Sequence, residues 1–257
     1  MDDSLARFVA EERSRYVTAD NNKFAGSFWR CIRYAGFLQI ITQRYPDLRN
    51  AWFQNGKRFK EYNKNTTKES LGQDTITLEG GARINPTVIK LFEENQQIEE
   101  QIQMEIETFY LFALVLLDRL SQAIWCFFGP SRSGSLKAHK QFVNNFERYA
   151  KEKNIALPLS LLKLAENLRK SVLQFRDWQI SHELNPEENI YSSRMTILDD
   201  SGYLKLRIIK FYGEKNREEI SSRKLDELFS EIIEYTKVVT EMMRKNNYLS
   251  TYTLLDS

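Results

Sequence analysis

Apolar residues recur at every third or fourth position along most of the chain, and this spacing predicts helices. In 27–45 the spacing is carried by Phe28, Ile32, Ala35, Phe37, Leu38 and Ile41. Pro46 is predicted to end this helix, because proline lacks an N–H and clashes with the preceding turn, and Asp47 to cap a second helix over 48–62. The polar, glycine-containing segment 63–86 is predicted to be a loop.

The segment 87–129 predicts one long helix that becomes most apolar near its middle, in "FYLFALVLLDRL". Asp118 and Arg119 interrupt this run, which is too short for a membrane span, so a central core helix is expected. Gly129 and Pro130 are predicted to end it.

Two more helices are predicted over 136–154 and 160–182, separated by Pro158, and a last one over 222–246. The core side of 160–182 is predicted from Leu161, Leu164, Ala165, Leu168, Val172 and Phe175. That of 222–246 is predicted from Leu225, Leu228, Phe229, Ile232, Ile233 and Val239. Between them, alternating residues on either side of "DDSG" predict a β-hairpin at about 194–213.

These elements predict an all-α protein, an antiparallel helical bundle at 87–246 with a small β-hairpin insertion. Residues 1–86 form an N-terminal helical elaboration and polar loop in this prediction, and 247–257 a C-terminal tail. The sequence has 257 residues and is 42% hydrophobic, enough for a sizeable core.

The charge balance and the cysteines limit the function classes. A net charge of +2 is no signature of a general nucleic-acid coat, although it permits a local basic cleft. Cys31 and Cys126 have apolar or aromatic neighbours and are predicted to be buried free thiols in a reducing compartment. The charged N-terminal stretch does not resemble a signal peptide. A cytoplasmic protein without membrane contact is expected.

No spacing typical of a metal site occurs, such as Cys-x-x-Cys or His-Glu-x-x-His, so neither metal nor cofactor is expected. Six glutamates within 87–129 are predicted to form a solvated helix face: Glu93, Glu94, Glu99, Glu100, Glu105 and Glu107. The "GPSRSGS" segment is treated as a linker in which Ser131, Arg132 and Ser133 are an alternative phosphate contact. His139 is predicted to be a structural histidine, on the surface or partly buried.

The stretch "FRDWQISH" is the remaining group of residues with chemistry. His182 can accept the proton of a ribose 2′-hydroxyl or protonate a leaving 5′-oxygen, since the unperturbed pKa of imidazole is near 6.5. Arg176 can stabilise charge on the phosphate, and Asp177 can orient either partner. On a straight helix, however, Arg176 and His182 lie about 120° apart. Their cooperation therefore needs a bend, a helix that ends near Ser181, or a partner molecule.

This stretch resembles the motif of the HEPN superfamily, an Arg followed after four to six residues by a His, commonly with a polar residue directly after the Arg. Arg176, Asp177 and His182 fit it, and the long apolar helix resembles the central helix of such proteins. The resemblance covers about 88–246. It implies catalytic roles for these three residues and leaves Trp178 and Gln179 as substrate-binding candidates, with Trp178 alternatively buried in the bundle.

Many HEPN proteins are metal-independent endoribonucleases, often toxins or antiphage defence effectors with a nucleotidyltransferase-like antitoxin partner. The resemblance therefore implies an RNA substrate and a homodimer whose two motifs share one cleft. Other HEPN proteins are inactive. The alternative is accordingly a non-catalytic binding or scaffold module, in which Arg176 and His182 are structural residues.

Overall fold

The computed structural model describes residues 7, 10–11, 21–70, 86–180, 190–212 and 216–251. The described part is mostly helical, which confirms the all-α prediction at that level. Its helices are α1 (Asn21–Ser70), α2 (Pro86–Phe128), α3 (His139–Lys153), α4 (Leu161–Ile180) and α5 (Leu225–Lys245). A small antiparallel sheet contains β1 (Ile190–Leu198), β2 (Leu204–Tyr212) and β3 (Asn216–Ser221), and a 3-10 turn spans Asn247–Leu249.

The predicted break at Pro46 is wrong, because α1 continues through this residue from Asn21 to Ser70. Asp47 consequently lies within a helix and does not cap one. A proline inside a helix removes one backbone hydrogen bond and costs about 3 kcal/mol. Packing on both sides of the proline offsets that cost.

The packing of α1 against α2 includes polar contacts on either side of Pro46. Arg44 Nη2 lies 2.7 Å from Glu105 Oε1, and Trp52 Nε1 donates to Glu99 Oε1 at 2.9 Å. Glu105 is only 4% exposed, so the predicted solvated glutamate face is wrong for this residue. Its carboxylate is instead a buried partner of α1.

Helix α2 is the core helix that the sequence predicts. Phe109, Leu117 and Ile124 are fully buried, and the helix ends at Phe128, just before Gly129 as expected. By length and composition alone, its Ile89–Phe128 part also meets the requirement for crossing a membrane. Half of its most apolar stretch is buried within the protein, as a core helix requires.

The predicted hairpin is confirmed, with β1 and β2 joined by a turn at Asp199. The Asp199 carboxylate accepts the backbone N–H groups of Ser201 and Tyr203, and Gly202 adopts a φ of +78°. A third strand, β3, was not predicted. It pairs with β2 so that Ile220 lies opposite Ile208.

One cluster of buried side chains joins the helices and the sheet. The predicted stripe of α4 is confirmed, with Leu164 partly buried and the other five residues buried. The stripe of α5 is also confirmed, with Phe229 and Ile233 at its edge. The buried residues of α1 belong to the same cluster, from Phe24 to Tyr45.

Candidate functional site

The candidate motif begins on the last described turns of α4. The helix follows its core stripe as far as Phe175, which is buried and stacks on Tyr110 with ring centroids 4.1 Å apart. Residues 176–179 continue the helical backbone, although their side chains are outside the described part. His182 lies outside the described residues altogether.

The helical backbone divides the candidate residues between two sides of α4. At about 100° per residue, position 178 lies in line with Ser171, two turns earlier. Positions 176 and 177 lie in line with Arg169 and Lys170 by the same count. Position 179 is on the side of 176, whereas 178 is roughly opposite to it. The helix therefore does not gather Arg176, Asp177, Trp178 and Gln179 on one face.

A cleft of about 570 Å³ lies between α4 and β3, on the side of α4 that leads to position 178. Its α4 wall includes the polar side chains of Asn167, Lys170, Ser171 and Gln174. Residues 219–221 of β3 form the opposite wall. The volume is in the range of small-molecule and peptide sites.

Arg223 closes the cleft where β3 leads into α5. Its Nη1 and Nη2 donate to the two carboxylate oxygens of Glu231, at 2.8 and 2.5 Å, and Nη1 also approaches Ser171 Oγ at 3.3 Å. The hydrogen bonds that Arg223 donates to Glu231 raise the pKa of Arg223. Because this charge is matched by Glu231, Arg223 adds little free positive charge to the cleft.

A second groove, of about 520 Å³, lies between α3 and α4 on the side that leads to positions 176 and 177. Arg169 and Lys170 line it, together with Glu166. Arg169 Nη1 donates to Asn144 Oδ1 on α3 at 3.2 Å. The groove thus offers two cations and an amide beside one carboxylate, a mixed polar surface with a small positive excess.

His139 is removed from any surface chemistry. It is 1% exposed, so the predicted surface or half-buried position is wrong. Its ring stacks on Phe142, and neither ring nitrogen has a hydrogen-bond partner among the described residues. Burial, aided by the charge of Arg169, lowers the pKa of His139 to about 3. The imidazole is therefore neutral and inaccessible at ordinary pH.

The residue that holds the backbone of His139 was not predicted from the sequence. Asp118 projects from the apolar helix α2, and its Oδ1 accepts the backbone N–H of His139 at 2.8 Å. This contact satisfies one of the free N–H groups at the start of α3. Asp118, which seemed only to interrupt an apolar run, has a structural role there.

The alternative phosphate contact at residues 131–133 is already occupied by a side chain of the protein. The Glu152 carboxylate accepts the hydroxyls of Ser131 and Ser133, at 2.6 and 2.5 Å, and the backbone N–H groups of Arg132 and Ser133. The serine hydroxyl hydrogen bonds are the main reason why the pKa of Glu152 is lowered to about 2. This loop therefore binds an internal carboxylate instead of a phosphate.

Both cysteines are free thiols, with Cys31 buried and Cys126 partly buried. Burial raises the pKa of the Cys31 thiol, which disfavours the reactive thiolate. Within the ranges that the structure describes, no group of three or more His, Cys, Asp or Glu side chains is arranged to hold a metal ion. The described residues thus contain no nucleophile paired with a histidine.

Comparisons with family models, with curated proteins and with solved structures find no match for this chain.

Proposed function

We propose that the chain is a metal-independent endoribonuclease of HEPN type that acts as a cytoplasmic homodimer, as a toxin or defence effector. In this proposal His182 is the general acid or base, Arg176 stabilises the charge on the phosphate and Asp177 orients one of them. Trp178 and Gln179 contact the RNA. A nucleotidyltransferase-like antitoxin is the proposed protein partner.

The observation that carries the proposal is the burial of His139. The chain has two histidines, and the neutral, 1%-exposed His139 cannot exchange protons with a substrate. A histidine-dependent reaction must therefore use His182. His182 is also the histidine of the HEPN-like motif.

The proposed chemistry is transesterification of RNA. The ribose 2′-oxygen attacks the adjacent phosphorus while a base takes its proton, and the bond from phosphorus to the 5′-oxygen breaks as that oxygen gains a proton. The products are a 2′,3′-cyclic phosphate and a 5′-hydroxyl. Arg176 would offset the negative charge on the phosphate oxygens through its planar donor group.

Helix geometry limits how Arg176 and His182 can act on one phosphate. Arg176 and His182 are about 120° apart on a straight helix, and the described backbone is helical through both Arg176 and Ile180. One copy brings the two side chains together only if the chain changes direction beyond Ile180. A homodimer removes this requirement, because the Arg of one copy can act with the His of the other.

The test is the cleavage of mixed RNA in EDTA by the native chain and by His182→Ala. The proposal expects cyclic-phosphate products from the native chain and their loss in the variant. Equal cleavage by both contradicts it, as does a well-folded native chain that cleaves nothing. Arg176→Lys retains the charge but loses the two-pronged donor, so it is expected to lower kcat more than it raises KM.

The 570 Å³ cleft favours a second candidate, a non-catalytic helical module that binds a partner. Its polar α4 wall and the strand on the opposite side can contact a ligand without any acid or base. This candidate predicts that native chain and His182→Ala behave alike. Substitution of Ser171 or Gln174 in the cleft wall would then weaken partner binding.

A further inference from the structure

Among the residues that the structure describes, nothing pairs with the outer backbone edge of β3. In the described sheet β3 has a single neighbour, β2, and the Ser222 N–H donates to Leu206 O at 3.1 Å. Bonded and non-bonded pairs alternate in an antiparallel ladder, so the backbone of Ile220 faces β2 while Glu219 and Ser221 face outward. No hydrogen bond within the described residues reaches these outward backbone groups.

The end of β3 also borders the cleft. Ile220 and Ser221 line the cleft on the β3 side, and Lys170 lies on the α4 wall. Lys170 is exposed and forms no ion pair within the described part of the chain. An added strand would therefore find backbone partners on β3 and the exposed ammonium group of Lys170 on the α4 wall.

We propose that this edge pairs antiparallel with the β3 edge of a second copy, about a two-fold axis at Glu218. The inference rests on the homodimer of the proposed function and adds its surface. Because bonded and non-bonded positions alternate, only the outward-facing positions 217, 219 and 221 of one copy can form hydrogen-bonded pairs with the same positions of the other. The two-fold axis must therefore pass through a pair formed by the same residue in both copies, and not between two neighbouring pairs.

Charge selects the register among those that remain. With the axis at Glu218, Arg217 lies opposite Glu219 of the partner subunit, and this happens twice in the pair. An axis at Glu219 would instead place Glu219 opposite its own copy and separate it from Arg217. An axis at Ile220 would limit the overlap of the strands to three residues. The axis at Glu218 thus gives five overlapping positions and two opposite-charge pairs.

The axis at Glu218 also places the two copies of Glu218 opposite each other, a like-charge pair whose cost the two Arg217–Glu219 pairs offset. Glu219 also has a partner within its own sheet, because Arg207 Nε lies 2.7 Å from Glu219 Oε1 in an ion pair.

The pairing is tested by cross-linking the full-length chain without RNA. Glu218→Cys places two thiols across the axis in a non-bonded pair, where the side chains are closest, and is expected to form a disulfide-linked dimer on oxidation. Glu219→Cys is the matched control, because its thiols are offset by two positions and are expected not to link. The native chain reports any linkage through Cys31 or Cys126.

Light scattering at micromolar concentration supplies the second measurement. Glu219→Pro removes an outward N–H and no bond to β2, so it is expected to convert a native dimer into a monomer with an unchanged circular dichroism spectrum. A monomeric native chain overturns the proposal, as does a dimer that survives Glu219→Pro. A disulfide-linked dimer that forms in Glu219→Cys and not in Glu218→Cys overturns the register with the axis at Glu218. None of these results depends on RNA cleavage, so a failed pairing and a failed ribonuclease are told apart.

Discussion

Tyr110 Oη accepts the backbone N–H of Arg223 at 2.9 Å, and this bond ties the core helix α2 to the segment between β3 and α5. The Tyr110 ring also stacks on Phe175, the last described core residue before the candidate motif. Burial raises the pKa of Tyr110 to about 12, so its hydroxyl is protonated at ordinary pH. One side chain of α2 therefore positions both walls of the cleft.

Tyr110→Phe is expected to lower the free energy of unfolding by about 1–3 kcal/mol, because the N–H of Arg223 loses its partner in a partly buried position. Tyr235→Phe is the matched control. The Tyr235 hydroxyl is buried without a hydrogen-bond partner among the described residues, so its removal is expected to be neutral or stabilising. Urea unfolding of both variants measures these changes, and an equal loss of free energy of unfolding in the two variants would contradict the prediction.

Asp47→Ala is expected to change the free energy of unfolding by less than about 0.5 kcal/mol, because Asp47 is an exposed residue inside α1. If two helices met at Pro46, Asp47 would be an N-cap and its loss would cost about 1 kcal/mol. Pro46→Ala should in turn stabilise the chain, since the missing helix hydrogen bond can form. A loss of stability in both variants would show that α1 is interrupted.

The stability of the chain should fall in acid because of His139. Its pKa is about 3 in the folded chain and about 6.5 when unfolded, so the unfolded chain binds the extra proton between these values. The free energy of unfolding therefore decreases as the pH falls from about 6.5 toward about 3, by at most about 1.4 kcal/mol per pH unit. Above about 6.5 this group contributes no slope.

His139→Leu isolates that contribution, because the variant retains an apolar side chain and has no proton to gain. The difference between the native and variant unfolding curves removes the effect of other acidic groups, including Glu152, whose own stabilisation is lost below about pH 4.5. Parallel curves for the two proteins between pH 4 and 6 would contradict the neutral, buried histidine.

Gly129→Ala is expected to destabilise the chain by about 1–3 kcal/mol. Gly129 has a φ of +77°, and an added Cβ would lie 2.5 Å from Thr251 Cγ2. Gly36→Ala is the control, since no atom lies within 4 Å of its added Cβ and alanine favours the α1 helix by roughly 0.5–1 kcal/mol. The midpoint of thermal unfolding is expected to be lower than that of the native chain for Gly129→Ala and higher for Gly36→Ala.

Hydrophobic periodicity predicted the helices in which buried residues recur at the helical spacing. The stripe from Leu161 to Phe175 could be found because burial follows the helical period. Pro46 misled the prediction because one unfavourable residue is outweighed by an interface that spans many turns. Strand β3 was missed because Ile220 is the only apolar residue in "NREEIS".

Sequence patterns predicted less of the candidate site than of the fold. Glu152 fills the loop at Ser131 and Ser133 from a different element, about twenty residues away, and no local spacing indicates such a contact. The burial of His139 depends on residues from other helices, including Asp118 of α2 and Tyr235 of α5. The Arg176–His182 pair came from a family resemblance, and the helical period alone argued against their cooperation.

The central claim is that His182 acts as the acid or base in RNA cleavage. Its most direct test is the initial rate of cleavage of mixed RNA in EDTA by the native chain, His182→Ala and His139→Leu, each shown by circular dichroism to be folded. The account predicts a loss of about 10²-fold or more for His182→Ala and a native rate for His139→Leu. A native rate for His182→Ala, or no cleavage by the native chain, would contradict it.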